Sequence, residues 1–142
     1  MAYLLDTDHV VILQRRTQPA FGHVAARLSQ EDPNQVFVST ISFHEQMQGW
    51  LAFLNRARSA SEIVLAYNEL EQLGRSFFTM NVLSFSGAAQ DCYDRLRKLR
   101  VRIGTMDLRI ASIALVADAT VVTANTIDFE KVPALRHEDW TR

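Results

Sequence analysis

Four acidic residues, Asp6, Glu45, Asp107 and Asp128, have the types and placing needed to gather a divalent metal ion. Asp6 closes the apolar run Tyr3–Leu5, Glu45 follows the run Val36–Ser39, Asp107 precedes the apolar body Leu108–Ala114, and Asp128 follows Thr120–Thr123. Converging carboxylates repel one another, so a buried group of them is tolerable only with some protonated or with a cation supplying the missing charge. Magnesium or manganese fits best, because these hard ions favour carboxylate and water oxygens in roughly six-fold geometry. The lone Cys92 and the scattered His9, His23, His44 and His137 offer no zinc-like spacing. A magnesium site of this kind serves phosphoryl chemistry.

Each acid also has a bland structural role open to it. Asp6 could bond backbone amides in a turn. Ser42-x-x-Glu45 has the form of a capping box, in which the glutamate satisfies a free amide at a helix start. Asp107 stands two residues after Thr105, a candidate N-cap, where its charge would favour the positive end of the helix dipole. Asp128 follows Asn125 in a polar stretch suited to an Asx-turn.

The elements that must position these acids alternate in type. Tyr3–Leu5 reads as a buried strand, followed by a helix that Asp8 can cap and that Val10, Val11, Ile12 and Leu13 fill. Pro19 opens a second helix with Phe21, Val24, Ala25 and Leu28 at helical spacing, ended by EDPN. Val36–Ser39 has the β-branched and aromatic content of a strand. Helical spacing resumes at Ser42, which sets Glu45 in a first turn, and a long helix carries Ile63, Val64, Tyr67, Leu70, Leu73 and Phe77 on one stripe expected to be packed. Asn81–Leu83 is a weak third strand, Ser86–Leu99 and Thr105–Val116 are helical, and Thr120–Thr123 is strand-like. Strands alternating with helices imply crossover connections and a mainly parallel sheet covered on both faces. In such sheets the working site lies beyond the carboxyl ends of the strands, where these acids fall.

At 142 residues the chain has the size of one domain, residues 1–142, and 48% hydrophobic with 22% charged residues excludes a disordered or collagen-like protein. A single cysteine in an apolar-periodic segment fits a buried position and a reducing compartment. An acid at position 6, and no uncharged apolar run of roughly 18 residues, leave no signal peptide or membrane span and point to the cytoplasm. A formal net charge of −1 argues against binding nucleic acid by bulk charge alone. Arginine nevertheless outnumbers lysine, which occurs only at Lys98 and Lys131, and arginine is the better-shaped group for gripping phosphate. Five basic residues, Arg95, Arg97, Lys98, Arg100 and Arg102, crowd into RLRKLRVR. This segment reads either as a solvated helix face with Leu96 and Leu99 turned inward or as a phosphate-binding strip, to which Arg109 would add.

Taken together, LLDTD from Leu4, ISFHEQ from Ile41, IGTMDLRIASIAL from Ile103 and TANTIDFEKVPAL from Thr123 resemble the PIN-domain family, and the VapC-like toxins of toxin–antitoxin systems in particular. The order and spacing agree over nearly the whole chain, including the late Trp140. The resemblance implies a three-layer α/β/α fold, Mg2+ or Mn2+ at the acidic cluster, and hydrolysis of RNA phosphodiester bonds. It assigns Asp6 and Asp107 to direct metal binding, Glu45 and Asp128 to contact through water or a second ion, and Thr7 and Asn125 to accessory polar roles. It also implies a cognate VapB-like antitoxin and a homodimer; Trp50 and Phe53, on one helix, read either as part of such a contact surface or as core residues. Thr105 stands where many relatives carry a further acid, so one ion or two remains open.

Two rival readings use the same residues. Asp6-Thr7-Asp8 has the Asp-x-Asp form of haloacid-dehalogenase-like phosphatases, whose first acid is the nucleophile, although the scarcity of lysine counts against it. A non-catalytic binding module of the same fold would have no need for all four acids.

Overall fold

The computed structural model describes residues 1–142. Five strands, β1 (Ala2–Leu5), β2 (Val36–Ser39), β3 (Val82–Leu83), β4 (Ala119–Val122) and β5 (His137–Glu138), pair in the order β3-β2-β1-β4-β5. Every pairing is parallel, so the mainly parallel sheet expected from the sequence is wholly parallel. Seven helices connect the strands: α1 (Thr7–Arg15), α2 (Ala20–Leu28), α3 (Thr40–Arg56), α4 (Ala60–Phe78), α5 (Gly87–Lys98), α6 (Thr105–Ala117) and α7 (Thr126–Phe129).

The two faces of the sheet follow from the pleat. Successive side chains of a strand point to opposite faces, and in β1 this sends Leu4 to one core and Tyr3 and Leu5 to the other. Leu4 and Val121 pack with Ala89, Cys92 and Leu96 of α5, Leu108 and Ala111 of α6, and Phe129 of α7. Tyr3, Leu5 and Val122 pack with Val10 of α1, Val24 of α2 and the late Trp140. Helices therefore cover both faces, giving the three-layer α/β/α arrangement. No helix is long and apolar enough to cross a membrane.

Several local expectations are corrected by the way the helices begin. The first residue of α1 is Thr7, and the cap is Asp6, whose carboxylate accepts from the Thr7 amide; Asp8 falls inside the first turn. α3 starts at Thr40 with Ser39 as its cap, the Ser39 hydroxyl accepting from Ser42 N–H, so Ser42 and Glu45 do not form a capping box. Glu45 is consequently in the second helical turn, free of any capping duty. The N-cap of α6 is Gly104, not Thr105.

The apolar stripe of α4 is only partly used. Ala66 and Leu73 are buried and Leu70 and Phe77 half-buried, but Ile63, Val64 and Tyr67 are 42%, 57% and 59% exposed, because α4 pairs in a hairpin with α3 and leaves its first turns uncovered there. Leu99 is exposed rather than turned inward, since α5 ends at Lys98 and the chain leaves the helix there. Cys92 is buried as expected.

The carboxyl-terminal segment is tied down by Trp140. Its ring meets Tyr3 edge-on with centroids 5.0 Å apart, and the Arg27 guanidinium lies 5.0 Å over it. The indole N–H donates to Glu138 Oε2 at 2.7 Å, and the backbone N–H of Trp140 donates to the buried His9 Nε2 at 3.2 Å. The Trp140→Ala protein should lose about 3–5 kcal/mol of stability, the usual cost of truncating a buried aromatic, seen as a lower midpoint in urea unfolding. A loss below about 1 kcal/mol, the range of ordinary surface substitutions, would show that this segment is peripheral to the core.

Candidate active site

The strand order places the acids. The chain leaves β1 toward β2 and β3 on one side, then returns to β4 on the other, so its direction reverses between β1 and β4. A crevice forms at such a point beyond the carboxyl ends of the strands. Asp6 follows β1 directly, Thr123 and Asn125 follow β4, Glu45 comes from α3 after β2, and Asp107 lies in the first turn of α6. Asp128 lies in the first turn of α7, a short helix where sequence alone suggested a loop.

Asp6 is buried, and both its oxygens are engaged: Oδ1 accepts from the Thr7 amide and Oδ2 from the Thr123 hydroxyl, each at 2.8 Å. Thr123 is itself buried, and its Oγ1 accepts from Asn125 N–H at 2.9 Å, which fixes its hydroxyl proton toward Asp6. Asn125 then links two further acids, its amide donating to Asp128 Oδ2 at 3.1 Å and to Asp107 Oδ2 at 3.3 Å. Thr7 serves Glu45 in the same way, donating to its Oε1 at 2.9 Å while lying 2.8 Å from the Ser42 hydroxyl. Thr7 and Asn125 thus hold the carboxylates in register.

Charge in this crevice is unbalanced. The pKa of Asp6 is pushed up to about 7, first by burial and then by the negative charge of Asp8, with Asp107 adding to the rise and the bonds from Thr123 and Thr7 opposing it. Asp107 is also raised, by burial first and then by Glu45 and Asp128, while the Asn125 bond works the other way. Asp128 is lowered by its bond from Asn125 and by Lys131, whose Nζ is 3.4 Å from Oδ1. None of the chain's ion pairs joins a basic residue to Asp6, Glu45 or Asp107. Asp107 thus links the group: it feels the charge of Glu45 and Asp128, and Asp6 feels the charge of Asp107.

They do not form a closed cage, for no three metal-binding side chains stand close enough to hold one ion as they sit. The donor set still fits a hard divalent cation: carboxylates of which only Asp128 has a basic partner, flanked by hydroxyl and amide groups, with neither thiolate nor imidazole among them.

Thr123 was not singled out by sequence reasoning, and Asp8 was read only as a helix cap or as the second acid of a phosphatase signature. Asp8 raises both Asp6 and Asp107 by charge, and its own carboxylate accepts from Ala124 N–H at 2.9 Å and meets His9 Nδ1 at 2.8 Å. The Asp-Thr-Asp spacing contained that signal but pointed to a phosphatase signature. Thr123 had the weaker cue of a hydroxyl closing an apolar strand. The basic strip divides: Arg97 and Arg102 line a groove that reaches Asp128, whereas Arg95 turns to the Cys92 sulfur and neither Lys98 nor Arg100 lines that groove.

No protein-family profile matches the chain. It is similar over its whole length to Ribonuclease VapC1 of Haemophilus influenzae strain 86-028NP, at 29% identity with all of both chains covered. With Ribonuclease VapC2 of Rickettsia felis it shares 26% identity, again over the full length of both. Its fold matches that of the VapBC-1 structure from nontypeable Haemophilus influenzae with a TM-score of 0.76, 26% identity and complete coverage of both chains. It also overlays on the Rickettsia felis VapBC2 structure bound to a promoter DNA fragment, with a TM-score of 0.74 over 99% of each chain. At 24% identity this second likeness speaks for the fold alone.

The raised Asp6 pKa has a signed consequence for stability. The unfolded carboxyl ionises near 3.8 and the folded one near 7, so between these values the folded protein keeps a proton that the unfolded chain has released. Stability should therefore fall as pH rises from about 4 to about 7 and then level off. The full cost is at most about 4 kcal/mol. In chelator at pH 8, Asp6→Asn should be more stable than the parent by about 1–3 kcal/mol, with the gap closing below pH 4. Urea unfolding across this range checks it, and a gap that stays constant with pH would contradict it.

Proposed function

We propose that this chain, VapC-like from end to end in sequence and fold, is a divalent-metal-dependent endoribonuclease acting as the toxin of a toxin–antitoxin pair. The observation that carries the reading is the electrostatic coupling of Asp6, Glu45, Asp107 and Asp128 at the switch point of the sheet, without basic partners for the first three. Bound there, Mg2+ or Mn2+ would supply the missing positive charge, acidify water and offset the charge that develops on a phosphate under attack.

Asp6 and Asp107 are the residues to hold the ion directly, with Glu45 and Asp128 acting through water or at a second site. Thr7 and Asn125 are positioning residues, aiming the carboxylates that they bond. Thr123 and the Thr7 amide hold Asp6 in its ionised orientation. The substrate is RNA, as the names of the relatives state for those proteins.

The partner is a VapB-like antitoxin, in keeping with the VapBC complexes whose fold the chain shares. A groove of about 450 Å3 runs from Thr7 and Glu45 past Gln46, Trp50 and Phe53 to Arg56, and a segment of that partner seated there would abut the site. The rings of Trp50 and Phe53 meet edge-on at 5.5 Å along it. A homodimer is part of the same proposal.

The phosphatase reading fares worse. Such an enzyme needs a lysine at the phosphate, and neither of the two lysines, Lys98 and Lys131, pairs with Asp6.

Asp6→Ala should stay folded and lose metal-dependent RNA cleavage by at least ~100-fold, more than the loss usual for a group that only supports a metal ligand. Cleavage surviving unchanged in that variant would refute the assignment. A second readout avoids activity altogether. At pH 8, added Mg2+ should raise the melting temperature of the parent protein, through binding to the folded state, and leave that of Asp107→Asn nearly unmoved. Equal shifts in both would place the ion elsewhere.

A further inference from the structure

A second feature adjoins the acidic crevice without belonging to it. Between α5 and the start of α6 lies a groove of about 500 Å3, lined among others by Tyr93, Arg97, Arg102, Gly104, Thr105 and Asp128. Asp128 belongs to both sites, since Asn125 ties it to Asp107. The groove therefore opens onto the cluster.

Of its two basic residues Arg97 is held in place, and neither is committed to an ion pair. Arg97 donates to the Tyr93 hydroxyl at 3.2 Å, and its guanidinium is 5.8 Å from the centre of the Tyr93 ring. Arg109 approaches the same ring at 5.7 Å. Neither Arg97 nor Arg102 takes part in any ion pair, although both are exposed. Because Arg97 donates to the tyrosine oxygen, the tyrosine hydroxyl proton is still available to an acceptor. A guanidinium already oriented by an aromatic ring loses less freedom on binding than a free one.

We infer that this groove holds the sugar–phosphate backbone of the RNA strand next to the bond being cut, with Arg97 and Arg102 as its phosphate contacts and Tyr93 as the residue that positions Arg97. The inference rests on the ribonuclease reading for its choice of ligand. Charge complementarity favours a polyanion, and continuity with Asp128 and Asp107 favours the strand that the acids would cut. Tyr93 is buried and its ring is occupied by two arginines, so it offers no face for a base to stack on. The groove consequently positions RNA without reading its sequence.

The test is binding of a short, labelled single-stranded RNA to the full-length protein in chelator, where no metal-dependent cleavage can occur, over a series of salt concentrations. Each phosphate contact on a single strand contributes about 0.7 to the slope of log affinity against log salt. Arg97→Gln with Arg102→Gln should weaken binding roughly tenfold and flatten the slope by about 1.4, equally for RNAs of different sequence. Removing two exposed arginines of the α3–α4 hairpin, Arg58→Gln with Arg75→Gln, should leave the slope as it was. Tyr93→Phe should weaken binding less than the double arginine variant. In cleavage assays with metal, the arginine pair should raise KM more than it lowers kcat.

An unchanged slope in the Arg97/Arg102 variant, an equal loss in the Arg58/Arg75 variant, or no RNA binding by the parent protein would overturn the inference. The two readings fail separately. Parent protein that binds RNA through this groove but never cuts it would refute the ribonuclease and leave the groove standing, whereas metal-dependent cleavage with an unaltered slope in the arginine variant would do the reverse.

Discussion

Negative charge gathered where the sheet changes direction is the constraint on which the rest of the molecule depends. A wholly parallel sheet ends all its strands at the same edge, and the residue after each strand arrives there whatever its sequence distance. Asp6 follows the central strand into that edge, and the returning chain brings Thr123 and Asn125 from the other side of the switch point. Burying a carboxylate there costs free energy, which shows as a proton held to about pH 7. The fold tolerates this because the two cores on either side of the sheet supply the stability that the site gives up.

Neutral hydrogen-bonding groups settle the geometry that charge alone would scatter. Thr7 bonds Glu45, Thr123 bonds Asp6, and Asn125 spans Asp107 and Asp128. None of the three neutralises an acid, so the excess charge persists and stays available to a cation or to a phosphate bound with one. Arg97 and Arg102 lie in the adjoining groove and reach the cluster through Asp128. Of the four acids only Asp128 has a basic partner, Lys131, so Asp6, Glu45 and Asp107 are not quenched by internal ion pairs.

Much of this was legible in the residues. Short, largely apolar runs of three or four residues alternating with helical periods revealed the parallel sheet, because burial on both faces removes the alternation seen in half-exposed strands. Asp6, Asp107 and Asp128 stood out as acids at the ends of such segments. Other features left no local trace. The β5 pair His137–Glu138 is too short and polar to carry a pattern and exists only because β4 offers it an edge. Glu45 was named with the other acids, although Ser42-x-x-Glu45 also has the spacing of a capping box, a role that Ser39, three residues earlier, takes instead. Ile63, Val64 and Tyr67 lie on a helical apolar stripe, but periodicity says which residues share a face and not whether anything covers it. Asp8 was visible but assigned elsewhere, to a helix cap or a phosphatase signature, because its charge on Asp6 and Asp107 depends on the fold.

The central claim is that crowding and burial, rather than any special chemistry of Asp6, hold its proton near neutrality and that a divalent ion relieves the strain. Carboxyl carbon NMR titration of isotope-labelled protein reads this directly. In chelator the Asp6 signal should titrate with a midpoint near 7, and in Mg2+ that midpoint should drop to or below the ordinary carboxyl value of 3.8. A midpoint near 3.8 without metal, unmoved when Mg2+ is added, would contradict the account.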